Sequence, residues 1–175
     1  MELSGADHLH TLSILTITFA TLSVLVAIVR QIKGGQLSMV DVHLLTTFVS
    51  AGFAQCLAAI LPSAVALLGL SGRALWGVAS GVAALLFAAV LIRIQWERRK
   101  FATLGLGSLV VVAFVGLWLS VLILIVNALV TSIQGIGLHA AAITLSFGTV
   151  MWSFVRRLAS LGRQSSDGDW DLRHG

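Results

Sequence analysis

Apolar runs long enough to cross a bilayer recur five times along this chain: His10 to Val29, Val42 to Pro62 with an extension to Leu70, Ala74 to Ile92, Leu104 to Asn127, and His139 to Val155. A helix needs about 20 consecutive apolar residues to traverse the hydrocarbon core. None of the runs contains an acidic or basic residue, so no span carries the cost of a charge at the midplane. They mix Leu, Ala and Gly without strict alternation, which argues against barrel strands. The pattern predicts an all-α, polytopic transmembrane helical bundle of five spans (about 10–29, 42–70, 74–92, 104–127 and 139–155) in one domain covering residues 1–162. Beyond Leu161 the chain turns polar and lacks apolar residues to bury, so 163–175 is expected to be a disordered tail.

Punctuation between the runs sharpens this picture. Ser38 and Asp41 have the spacing of a capping pair, which places the start of the second helix near Met39. Pro62 lacks an N–H and its ring crowds the preceding turn, so a kink or an end of the regular helix is expected there. The turn around Ser71 to Arg73 is short, which makes spans two and three an antiparallel hairpin. Gly135 to Gly137 should break the chain before the fifth span.

Composition agrees with the pattern: 58% of residues are hydrophobic and 10% charged, against roughly half and a quarter in soluble domains. Charge then adds an orientation. Of the 11 basic residues, Arg73 alone falls between spans two and three. The others (Arg30, Lys33, Arg93, Arg98, Arg99, Lys100, Arg156, Arg157, Arg163 and Arg173) follow spans one, three and five. Cytoplasmic loops hold the excess of Lys and Arg, so the N-terminus is expected outside and the C-terminus in the cytoplasm. MELSGADHLH has no basic residue, so the first span should be retained rather than cleaved as a signal peptide. Confined to helix ends, the positive charge points to anionic membrane lipids as partner and not to nucleic acid. The single cysteine, Cys56, excludes an intramolecular disulfide and a paired-cysteine metal site. Trp76, Trp96 and Trp152 fall at span boundaries, whereas Trp118 sits deeper within a span and reads as lipid-facing or packing bulk rather than a ligand platform.

Lipid tails are as apolar as leucine, so helices in a bilayer associate through close approach of small residues and through interhelical hydrogen bonds. Small residues recur at three-and-four spacing at Ser13, Thr16, Ala20, Ser23 and Ala27 in the first span and at Gly77, Gly81, Ala84 and Ala88 in the third. Ala113, Gly116, Ser120 and Asn127 continue the theme in the fourth span, and Ala142, Ser146, Thr149 and Ser153 in the fifth. Such stripes serve either the packing of the bundle itself or a second copy or other membrane partner. Gln55 and Asn127 are the only carboxamides within the spans and read as interhelical glue or, less simply, as a solute-binding pair.

His10 and His139 open spans one and five, on the same expected side. Two imidazoles at similar depth have the chemistry to hold a haem iron or another metal. Each also stands at a helix end where solvent can satisfy it, and no CxxCH or HxxxH motif is present, so no cofactor is assigned. Asp167, Asp169 and Asp171 alternate like the start of a calcium loop, but the glycine and closing glutamate are missing. Nothing nominates a nucleophile, a general base or a phosphate loop.

Arg30-Gln31 followed by Gly34, Leu37-Ser38 and Asp41, and the Ile60-Leu61-Pro62 at the end of the second span, resemble small five-span bacterial membrane proteins that are uncharacterised. The resemblance covers mainly the first two spans and implies no activity. The expectation is a non-enzymatic protein of the bacterial inner membrane, acting through lateral helix contacts as an assembly, scaffold or accessory subunit. The alternatives are an oligomeric channel or carrier for a small solute and, less favoured, a haem-binding electron-transfer protein.

Overall fold

The computed structural model describes residues 6–32, 39–99 and 108–171. Among them are five α-helices: α1 (Ala6–Ile32), α2 (Met39–Leu67), α3 (Gly72–Arg99), α4 (Ser108–Leu129) and α5 (Ile136–Asp171). Each is long and apolar enough to cross a membrane, with candidate spans at Asp7–Val29, Leu45–Leu67, Gly72–Glu97, Val112–Leu129 and Ile136–Arg156. Even α4, with 22 residues, reaches about 33 Å at 1.5 Å per residue. This is an all-α membrane protein.

The second helix begins at Met39, where the capping pair predicts it, although Ser38 itself lies outside the described residues. Pro62 does not end α2, which runs on to Leu67. The helix closes at Gly69, whose φ of 84° lets the chain turn where a side chain would be strained. Its N–H bonds the Ala66 carbonyl at 3.0 Å, and α3 starts after two further residues. The last helix starts at Ile136, earlier than the apolar run suggests, and continues without a proline through Asp171. Residues 163–171 of the polar tail are therefore helical in the structure, and 172–175 lie outside the described residues.

Consecutive helices pack side by side, and α5 closes the bundle by also touching α1, α2 and α3. Small residues make this closeness possible. A Cβ on Gly52 of α2 would come within 2.9 Å of the Ala20 Cβ on α1, and one on Gly116 of α4 within 2.6 Å of Thr149 Oγ1 on α5. At one end of the bundle Phe19 stacks edge-on against Phe147 and Phe154, with Phe48 against Phe154, at centroid separations of 5.1 to 5.9 Å. Edge-to-face packing of this kind locks α1, α2 and α5 together.

Large apolar side chains cover the outside. On α4 they are Val112, Val115, Trp118, Leu119, Leu122, Ile125 and Leu129, all exposed. In water such a surface would aggregate; against acyl chains it is matched.

Candidate functional site

Polar groups of α2, α3, α4 and α5 meet in one buried network. It is best followed from the end of α4. Asn127 has no exposed surface, and its side chain holds the connection to α5 by both backbone groups of one residue. Nδ2 donates to the Gly135 carbonyl at 3.1 Å, and Oδ1 accepts from the Gly135 N–H at 3.0 Å. This brace fixes the point from which α5 starts at Ile136 and delivers His139 one turn later. Asn127 Nδ2 also donates to Ser80 Oγ of α3 at 2.7 Å. Ser80 Oγ in turn lies 2.9 Å from His139 Nδ1, and His139 Nε2 lies 3.0 Å from the carbonyl of Ala58 on α2.

Donor and acceptor chemistry orders these bonds. A carbonyl only accepts, so Nε2 carries a hydrogen. Ser80 accepts from Asn127 and has its own O–H to give, which it donates to Nδ1. The bonds close with the imidazole as the neutral Nε2–H tautomer, an assignment that rests on the network. Four helices are joined, and Asn127, Ser80 and His139 are each fully buried. Trp76 covers the imidazole at a ring separation of 5.9 Å.

The Ala58 carbonyl is free for a reason written in the sequence. In a regular helix it would accept the N–H of the residue four positions on, and that residue is Pro62. A carbonyl stranded in an apolar interior needs a partner, and His139 supplies it from a neighbouring helix. This is how α2 tolerates an internal proline.

Gln55 forms a second interhelical link. Its Nε2 donates to Ser146 Oγ of α5 at 2.8 Å, while its buried Oε1 has no partner among the described residues. Gln55 and Asn127 do not meet; each joins a different set of helices.

The remaining interior hydroxyls are spent locally. Thr16 bonds the Ser13 carbonyl, Ser23 that of Phe19, Ser120 that of Gly116 and Thr149 that of Leu145, each on its own helix.

His139 is thus not the solvated residue that its place at a helix start suggests, because α5 begins a turn earlier and carries it inside. His10 is exposed on α1, and the two share no site. Iron at His139 would have to displace either Ser80 or the Ala58 carbonyl. Among the described residues no group of three His, Cys, Asp or Glu side chains is placed to hold a metal ion.

At the end of the bundle where α3 finishes, Glu97 accepts from Arg93 Nε at 3.0 Å and lies 3.4 Å from His43 of α2. Trp96 and Trp152 are exposed there, and Arg156 lies over the Trp152 ring at 4.8 Å from its centroid. A charged belt with amphipathic rings suits headgroup depth.

The small-residue positions separate by direction. A Cβ on Gly77 would meet Gln134 Nε2 at 2.8 Å, whereas one on Gly81 would meet only the Ala128 Cβ at an ordinary 3.8 Å. Ser13, Thr16, Ala20, Ser23, Ser120, Ala142 and Ser146 are buried within the bundle. A different stripe faces out. Gly137, Ala141, Thr144 and Gly148 share one exposed face of α5, and a Cβ on either glycine would meet nothing within 4 Å. Sequence spacing did not single out this stripe, nor Ser80, nor the link between Pro62 and His139. A proline in a span without a carbonyl acceptor for its missing N–H is the signal that could have directed the search to a donor on another helix. Comparison with known protein families, with curated proteins and with solved structures finds no match for this chain, so its assignment as a five-helix membrane protein rests on its own residues.

Proposed function

We propose that the chain is a non-enzymatic assembly or accessory subunit of a bacterial inner membrane, with its N-terminus outside and its C-terminus in the cytoplasm, docking laterally through the outward face of α5. The observation that carries this reading is the contrast between two exposed helix faces. That of α4 is built of large apolar residues, as lipid contact requires, while that of α5 presents Gly137, Ala141, Thr144 and Gly148 before the row passes to Met151 and Val155. A glycine inside a helix costs about 1 kcal/mol relative to alanine. Gly116 has a reason within the bundle, since Thr149 occupies the space; Gly148 has none there. Small residues at this spacing let a second helix approach to backbone contact. The occupant is a helix of a second copy or of another membrane protein.

A solute path is the less favoured reading because the interior hydroxyls bond their own helices. Orientation is supported by the basic residues gathered after α1, α3 and α5.

Cysteine cross-linking in native membranes tests the docking face. In a Cys56→Ala background, Ala141→Cys or Gly148→Cys should give a disulfide-linked product, and Leu122→Cys on α4 should not. Equal cross-linking from both faces would remove the proposal, and none from α5 would remove a second copy as the occupant.

A further inference from the structure

Gln55 and Ser146 are the two polar residues lining a cavity of about 20 Å³ between α2, α3, α4 and α5, whose other walls include Ala51, Phe87, Leu91 and Leu117. Gln55 is only 1% exposed. One end of its amide is used, Nε2 to Ser146 Oγ, and Oε1 is left over. Turning the amide over would exchange the two ends and leave the nitrogen without a partner instead. Either way, one polar atom of the Gln55 amide lacks a partner among the described residues, and in a bilayer interior bulk water cannot supply one.

Three constraints select the ligand. A cavity needs roughly 10 to 15 Å³ to admit one water-sized molecule, so there is room for one here. A cation would exchange its hydration shell for two neutral oxygens with no carboxylate among the lining residues, far short of the six or more oxygens that hard cations collect. The atom to be satisfied is an acceptor as the amide stands and a donor if it is turned over, so the ligand must be able to serve either. A neutral, water-sized molecule that both donates and accepts meets all three.

We infer that Gln55 and Ser146 form a binding site for a single water molecule. It donates one hydrogen to Gln55 Oε1 and the other to the second lone pair of Ser146 Oγ, closing a ring with the Gln55–Ser146 bond. The contact of α2 with α5 is then a hydrated joint.

Infrared spectroscopy of the protein in vesicles, exchanged from ordinary to ¹⁸O-labelled water, reads this site directly. The wild type should show an isolated O–H stretching band that shifts with the isotope. The band should be lost in Gln55→Met, which removes the acceptor, and in Ala54→Val, which narrows the cavity but keeps Gln55. The melting temperature gives a second readout. Gln55→Met should lower it by several degrees if the amide is satisfied by water, and raise it if Oε1 is an orphan. No isotope-sensitive band in the wild type, a band that survives both variants, or a higher melting temperature in Gln55→Met would each overturn the inference.

Discussion

Pro62 of α2 and His139 of α5 are joined through a carbonyl that belongs to neither. Pro62 has no N–H to offer Ala58, and His139 Nε2 lies 3.0 Å from the oxygen left open. The helix break and the imidazole that compensates it are 77 residues apart in sequence, from 62 to 139. Each accounts for the other: α2 crosses as one helix because a donor reaches it, and the buried imidazole is tolerated because both of its nitrogens are engaged.

A double-mutant cycle reads this relationship. His139→Ala should destabilise the bundle by about 2 to 3 kcal/mol, since it opens a cavity and strands the Ala58 carbonyl and the Ser80 hydroxyl. Pro62→Ala gives that carbonyl a donor within α2, so His139→Ala should cost about 1 kcal/mol less in the Pro62→Ala background. Reversible unfolding in mild detergent or bicelles measures all four corners. Strict additivity would mean that the two residues act independently.

Close packing gives a second expectation. Gly116→Ala should cost about 1 to 3 kcal/mol because its methyl meets Thr149 at 2.6 Å, and Thr149→Ala should relieve most of that loss. Gly81→Ala, where the nearest atom is 3.8 Å away, should be neutral or gain up to about 1 kcal/mol from helix propensity. Thermal melting of the four variants distinguishes them.

The engaged ring nitrogens of His139 also bear on haem. Protein purified after expression with excess haem should show no Soret band, and His10→Ala should leave stability nearly unchanged while His139→Ala does not. Stoichiometric haem lost on either substitution would require the network to rearrange around iron.

Much of this architecture was legible in the residues. The spans follow from apolar length and the start of α2 from Ser38 and Asp41; Gly77, Gly81, Gly116, Ser120, Gln55 and Asn127 are candidates for packing or the polar interior by the rule that small and polar groups serve helix contacts in lipid, and of these Ser120, Gln55 and Asn127 are buried. What spacing could not give is which face meets which partner. In a bilayer both sides of a helix are apolar, so the usual contrast between a wet and a dry face is missing. That is why the inward stripe of Ala142 and Ser146 and the outward stripe of Gly137 and Gly148 look alike in sequence. His139 was misjudged for a related reason: an imidazole at a span boundary is satisfied equally well by water or by a network, and one extra turn of α5 decides between them.

Orientation is tested by reporter fusions. Fusions after Lys33 and Lys100 should report cytoplasm, and those after Ser71 and Gln134 the outer side. A cytoplasmic signal at Gln134 would be incompatible with five crossings in this order.

The central claim, that this protein works by lateral docking through α5, is met most directly by the mass of the intact complex released from its native membrane in mild detergent. The wild type should appear as two or more copies, or as one copy with another membrane polypeptide, and Gly148→Leu should reduce it to a single 18.5 kDa chain without loss of folding. A wild type that is already a single chain under these conditions, or a complex that Gly148→Leu leaves intact, would contradict the account.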